Sequence, residues 1–157
     1  MVELPKKVKN QKTKFDRIHF SSKTYKHRTP IGLFKDLDSE FHFNFDPAHP
    51  AIVGDYNENA LVKLWIIKKH PKKKLRVFEN PPYDRKLMER FIMKTCMLFV
   101  QGKIELAVFL LPFRASAVRY LIRHFHKKVE FRLLIVRIHF DDAELGAPFD
   151  SVIAILK

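Results

Sequence analysis

Hydrophobic and polar positions follow two different periods along this chain, and the switches between them outline its elements. After Thr29-Pro30, a good N-cap residue followed by a proline suited to the first helical position, Ile31, Phe34 and Leu37 recur at helical spacing. They predict a helix to about Glu40. Phe41, Phe43 and Phe45 then alternate with His42 and Asn44 up to Asp46-Pro47, which predicts a half-buried strand ending in a turn. Leu75 to Glu79 reads as a short strand stopped by Asn80-Pro81-Pro82. Between Asp84 and Gln101 the residues Leu87, Met88, Phe91, Ile92, Thr95 and Phe99 make a wide helical face, with Gly102 as terminator. Ile104 to Leu111 is nearly all apolar, the pattern of a strand covered on both faces. Ala115 to Phe125 reads as helical, and Phe131 to Phe140 and Val152 to Leu156 as extended, joined through Gly146-Ala147-Pro148. Such an order predicts an α/β sandwich whose sheet is mostly parallel and is closed by a C-terminal antiparallel pair.

Composition sets the scale. At 157 residues, 46% apolar and with 15 Phe, the chain has enough apolar mass for one domain with an ordinary core, which excludes global disorder. From Met1 to Arg28 nine basic residues face only Glu3 and Asp16 with no regular period, so residues 1–28 are expected to be a flexible basic arm and 29–157 the folded domain. A net charge of +13 points to a polyanionic partner, nucleic acid before anionic lipid. Two further basic blocks are Lys68 to Lys74 and the set Arg119, Arg123, Lys127 and Lys128. The single cysteine, Cys96, cannot form an intramolecular disulfide and reads as a buried helix residue, and His124-x-His126 points its two rings apart, so no metal site is expected. No apolar run approaches the roughly 20 residues of a membrane span. An intracellular, reducing compartment is expected, either the cytoplasm of a bacterium or of a virus-infected host, or the nucleus.

In an open parallel sheet, ligands bind beyond the carboxyl ends of the strands. Two such ends carry unusual residues, Asp46-Pro47-Ala48 and Asn80-Pro81-Pro82-Tyr83. A Pro-Pro pair has no backbone N–H and stiffens the residue ahead of it, so Asn80 and the Pro81 carbonyl become two rigid acceptors with the Tyr83 ring beside them. Two acceptors and a flat apolar platform suit a planar group bearing an exocyclic NH₂. The plainer alternative is a strand-to-helix turn, since Asn and Pro are common turn residues.

Asn80-Pro81-Pro82-Tyr83 resembles the catalytic motif of amino-group methyltransferases that use S-adenosylmethionine. Thr29 to Phe34, Glu40 to Ala48, Leu110 to Ala115 and Ala147 to Ser151 are similar, in order, to segments of the phage-type DNA N6-adenine methyltransferases. Asp46 and Asn80 are only 34 residues apart, room for one compact crossover, whereas the glutamine methyltransferases and most RNA enzymes carry a longer insertion there. The resemblance therefore implies a compact Rossmann-like methyltransferase sheet, shortened between its first strand and the Asn80 strand. It implies transfer of a methyl group from S-adenosylmethionine to adenine N6 in DNA, the base being flipped into the Asn80 to Tyr83 pocket, with an amino group of RNA or of a protein glutamine as the alternative substrate. Asn80, Pro81, Pro82 and Tyr83 are the implied catalytic residues, and Thr29, Pro30, Asp46, Pro47, Ala48 and Asn59 the implied cofactor contacts. Implied DNA contacts are Lys12, Lys14, Lys69, Lys72, Lys73, Arg114, Arg119 and Arg123. The chain departs from the usual pattern in having four glycines, none in a GxG arrangement, which leaves open a non-catalytic relative that binds nucleic acid. No segment is long enough for a separate target-recognition domain, so target readout is expected from loops, the arm, a second copy in a homodimer or a partner subunit.

Overall fold

The computed structural model describes residues 29–48, 61, 65, 70, 72–135, 137–139, 147 and 149–157. Among them are three helices, α1 (Ile31–Phe41), α2 (Arg85–Val100) and α3 (Ser116–Phe125), and four strands, β1 (Leu75–Glu79), β2 (Ile104–Pro112), β3 (Val129–Leu133) and β4 (Ser151–Leu156). The strands form one sheet in the order β1-β2-β4-β3. The pairs β1/β2 are parallel, and β2/β4 and β3/β4 antiparallel. The α/β class and the C-terminal antiparallel pair are as the sequence predicts, whereas the mostly parallel sheet is not: two of these three ladders are antiparallel. The reason lies in where β4 goes. β1, β2 and β3 all run the same way, but β4 inserts between β2 and β3 in the opposite sense, so the expected parallel ladder becomes two antiparallel ones.

Two edge segments also differ from their periodicity. The strand expected over Phe41 to Phe45 shrinks to a single parallel bridge, Phe45 to Val77. Phe41 still belongs to α1, and His42 stops the helix in the left-handed conformation at φ 51°. The backbone bonds Asn44 N–H and Phe45 N–H to Arg76 O and Phe78 N–H to Phe45 O hold this short bridge, and the Asn44 side chain adds to them, accepting from Arg76 N–H at 2.8 Å and donating to Lys74 O at 3.2 Å. At the other edge, β3 ends at Leu133, short of the Phe140 that the pattern allowed.

The sheet is covered on both faces. One face packs α2 and α3 over Val77, Phe109, Val152 and Ala154, with Phe91, Ile92 and Leu121 inaccessible or nearly so. The other packs α1 through Leu37 and Phe41 over Phe78, Val108, Ile153 and Ile155, and Phe43 joins Phe34 and Phe78 there at ring separations of 5.4–6.0 Å. β2 and β4 lie in the middle, so β4 is buried along its whole length. Gly102, at φ +71°, closes α2 as its sequence position predicts, with Gly102 N–H on Phe99 O and Lys103 N–H on Leu98 O.

α2 begins two residues after Tyr83, and its start is fixed by the intervening Asp84, whose Oδ1 accepts from Leu87 N–H at 2.9 Å. Asp84→Ala is therefore expected to cost about 1 kcal/mol of stability, measured by urea denaturation, and an unchanged midpoint would show that the cap contributes nothing.

Candidate functional site

The carboxyl end of β1 carries the Asn80 segment directly into a tight turn before α2. Because strand residues alternate faces, Glu79 and Asn80 point to opposite sides of the sheet. Asn80 points to the α1 side, where its Nδ2 donates to Thr29 Oγ1 at 3.0 Å across 51 residues of sequence. Thr29 was expected to cap α1. Instead Pro30 occupies the N-cap position, with no side-chain cap bond, and the Thr29 hydroxyl is committed to Asn80. That bond anchors the side-chain amide, and with Nδ2 on Thr29 Oγ1 it leaves Oδ1 as the acceptor. Asn80, Pro81 and Pro82 are all buried.

The Phe45 bridge runs parallel to β1, so Asp46, Pro47 and Ala48 emerge at the same end of the sheet as Asn80. Asp46 Oδ1 accepts from Ala48 N–H at 2.9 Å, the turn-closing role that a strand-end Asp commonly takes. Pro47 and Ala48 are buried beneath it. The Tyr83 ring is half-buried with its hydroxyl enclosed, and burial pushes the phenol far above its ordinary ionisation range, so it stays neutral. Phe149 meets this ring edge-on at 5.3 Å and 74°.

The other side of β1 holds a feature not singled out from the sequence. Glu79 is wholly buried, with Oε2 accepting from Thr95 Oγ1 of α2 at 2.5 Å and Oε1 without a hydrogen-bond partner among the described residues. Burial, reinforced by the negative charge of Asp46 and only partly offset by the Thr95 bond, pushes its carboxyl up to about 8. At neutral pH it is predominantly protonated. Cys96, the next residue along α2, is buried as its position suggested, and burial pushes its thiol up to about 12.

Of the basic residues, Arg114 follows β2 and lies at the Asn80 end of the sheet, and Arg119 and Arg123 continue from it along the exposed face of α3. Arg119 Nη1 reaches Arg114 O at 3.4 Å. Lys72 and Lys73 are exposed but precede β1, which places them at the opposite end of the sheet from Asn80. Lys12, Lys14, Asn59 and Lys69 lie outside the described residues, as does the whole of 1–28. Among the described residues no three His, Cys, Asp or Glu side chains converge as a metal site, and no helix is long and apolar enough to cross a membrane. Searches against protein-family models, curated proteins and solved structures find no match for this chain.

Proposed function

We propose that this chain is an S-adenosylmethionine-dependent methyltransferase acting on the exocyclic N6 of adenine in DNA, the activity of the phage-type enzymes it resembles. The observation that carries the reading is the convergence at one sheet end of an oriented Asn80, the rigid Pro81 carbonyl, the Tyr83 ring and the Asp46 turn. Adenine N6 is a weak nucleophile because its lone pair is delocalised into the ring. Asn80 Oδ1 and the Pro81 carbonyl accept its two N–H groups, favour a tetrahedral nitrogen and stabilise the positive charge that develops there. Tyr83 stacks on a base turned out of its duplex, and the buried prolines keep water from the reacting nitrogen. Positioning supplies much of the acceleration, and no strong general base is required.

The surrounding residues suit the cofactor. S-adenosylmethionine supplies an electrophilic methyl group, together with a carboxylate and ribose hydroxyls that need partners. The first turn of α1 has no acidic residue and leaves its N–H groups to receive a carboxylate, while the Asp46 carboxylate suits a hydroxyl. A second reading, a nucleic-acid-binding module without catalysis, is favoured by the absence of a GxG loop. Calorimetry separates the two: binding of S-adenosylmethionine to the purified chain supports the enzyme, whereas tight DNA binding with no cofactor heat supports the module.

A second test falls on the platform. Tyr83→Ala is expected to weaken substrate binding by about 1–3 kcal/mol through lost base stacking, while Tyr83→Phe, which keeps the ring, binds nearly as the parent does. Equal affinities of Tyr83→Ala and parent in a fluorescence-anisotropy titration with an adenine-containing oligonucleotide would remove Tyr83 from the site.

A further inference from the structure

Phe113 is a large apolar side chain left 45% exposed on a turn that is otherwise tightly held. Its backbone N–H donates to Asp150 O at 2.8 Å, and the turn closes with Ala115 N–H on Pro112 O at 2.9 Å. The preceding residue of the same segment, Phe149, packs edge-on against Tyr83. Tyr83 and Phe113 therefore flank one short stretch of chain, Phe149-Asp150, at the carboxyl end of the sheet. Arg114 is exposed beside Phe113, and α3 leaves from this turn carrying exposed Arg119 and Arg123 with no acidic residue along its length. At the start of α3 Glu89 accepts from Ser116 Oγ and pairs with Arg85 at 3.3 Å, and the exposed Asp150 is the acidic residue beside the Phe113 turn.

An exposed ring on a fixed turn, flanked by cations, has the chemistry of a stacking platform for single-stranded nucleic acid, since every base has a π-face and every linkage a phosphate. We propose that Phe113 stacks the nucleobase next to the target while Arg114 holds the phosphate between them, so that the site takes a single-stranded or locally opened strand. This rests on the methyltransferase reading for the identity of the Tyr83 pocket and adds a second base position to it.

The test uses the full chain and a short single-stranded oligonucleotide carrying 2-aminopurine beside its adenine. The parent is expected to bind it with a change in probe fluorescence. Phe113→Ala should lose that change and bind roughly 5- to 150-fold more weakly, with an unaltered dependence on salt, and Phe113→Trp should restore both signal and affinity. Arg114→Gln should instead lower the slope of log affinity against log salt by about one unit. Because Phe113 is exposed, circular dichroism of Phe113→Ala should match the parent. Parental binding and probe signal in Phe113→Ala overturn the inference and leave the Tyr83 pocket standing. Failure of the parent itself to bind any oligonucleotide overturns both.

Discussion

Replacing Asn80 by alanine is expected to lower methyl-transfer turnover by roughly 10²-fold or more with cofactor affinity little changed. The loss is large because the acceptor is aimed before substrate arrives: the amide is buried, its Nδ2 is tied to Thr29 Oγ1 at 3.0 Å, and Pro81 stiffens the backbone after it. Alanine removes the acceptor that strengthens as N6 becomes positive, an interaction made chiefly in the transition state. Asn80→Asp keeps an oxygen there and lets the Thr29 hydroxyl reverse its role and donate, so it should retain far more turnover than Asn80→Ala. Thr29→Val leaves the acceptor in place but unanchored and should fall between them, its defect in kcat exceeding that in KM. Full turnover in Asn80→Ala is incompatible with the role assigned to it.

A second large effect is expected at Glu79, and its sign follows from burial. The folded chain holds a proton on this carboxyl up to about 8, whereas an unfolded chain releases it near the ordinary 4.5. Between those values the folded state binds more protons than the unfolded state, so stability falls as pH rises through the window and levels off above it. The loss attributable to this group is on the order of 5 kcal/mol by the upper end. Glu79→Gln is a neutral isostere that keeps an acceptor for Thr95 and removes the titration. Denaturation curves for the two proteins should differ little near pH 4.5 and diverge towards pH 8.5, with Glu79→Gln the more stable. Parallel pH profiles would mean that Glu79 is already ionised in the folded protein.

What the sequence makes legible is what depends on near neighbours. The helices show through because their caps and periods are local: Asp84 and Gly102 bracket α2 at both ends, and each helix packs apolar residues on the sheet, although Ile31, which opens the apolar series of α1, is 60% exposed. β2 and β4 show through because burial leaves apolar runs, and β1 because Asn80-Pro81-Pro82 stops it. Strand direction does not, since Ser151 to Leu156 reads as a buried strand whichever way it runs, and its insertion between β2 and β3 is a matter of chain path. The edge before β1 is misread because α1 runs on through Phe41 and His42, in the left-handed conformation, breaks the alternation of the phenylalanines.

The site divides in the same way. Asn80 to Tyr83 announces itself because a Pro-Pro pair constrains its own neighbours. The Thr29 to Asn80 bond spans 51 residues and the Glu79 to Thr95 pair joins a strand to the inner face of a helix, and neither has a local pattern to betray it. Phe113 escapes notice for another reason: a single exposed ring acquires meaning only when the fold ties its backbone to Asp150, the residue after the Phe149 that packs on Tyr83.

The central claim is that Asn80, Pro81 and Tyr83 hold an adenine for methylation. Its most direct test is transfer of labelled methyl from S-adenosylmethionine to unmethylated DNA, RNA and protein offered in parallel, followed by analysis of the products. Label recovered as N6-methyladenine from DNA, and lost with Asn80→Ala, is the predicted result, whereas label in N5-methylglutamine or N2-methylguanine, or no transfer to any substrate, contradicts the account.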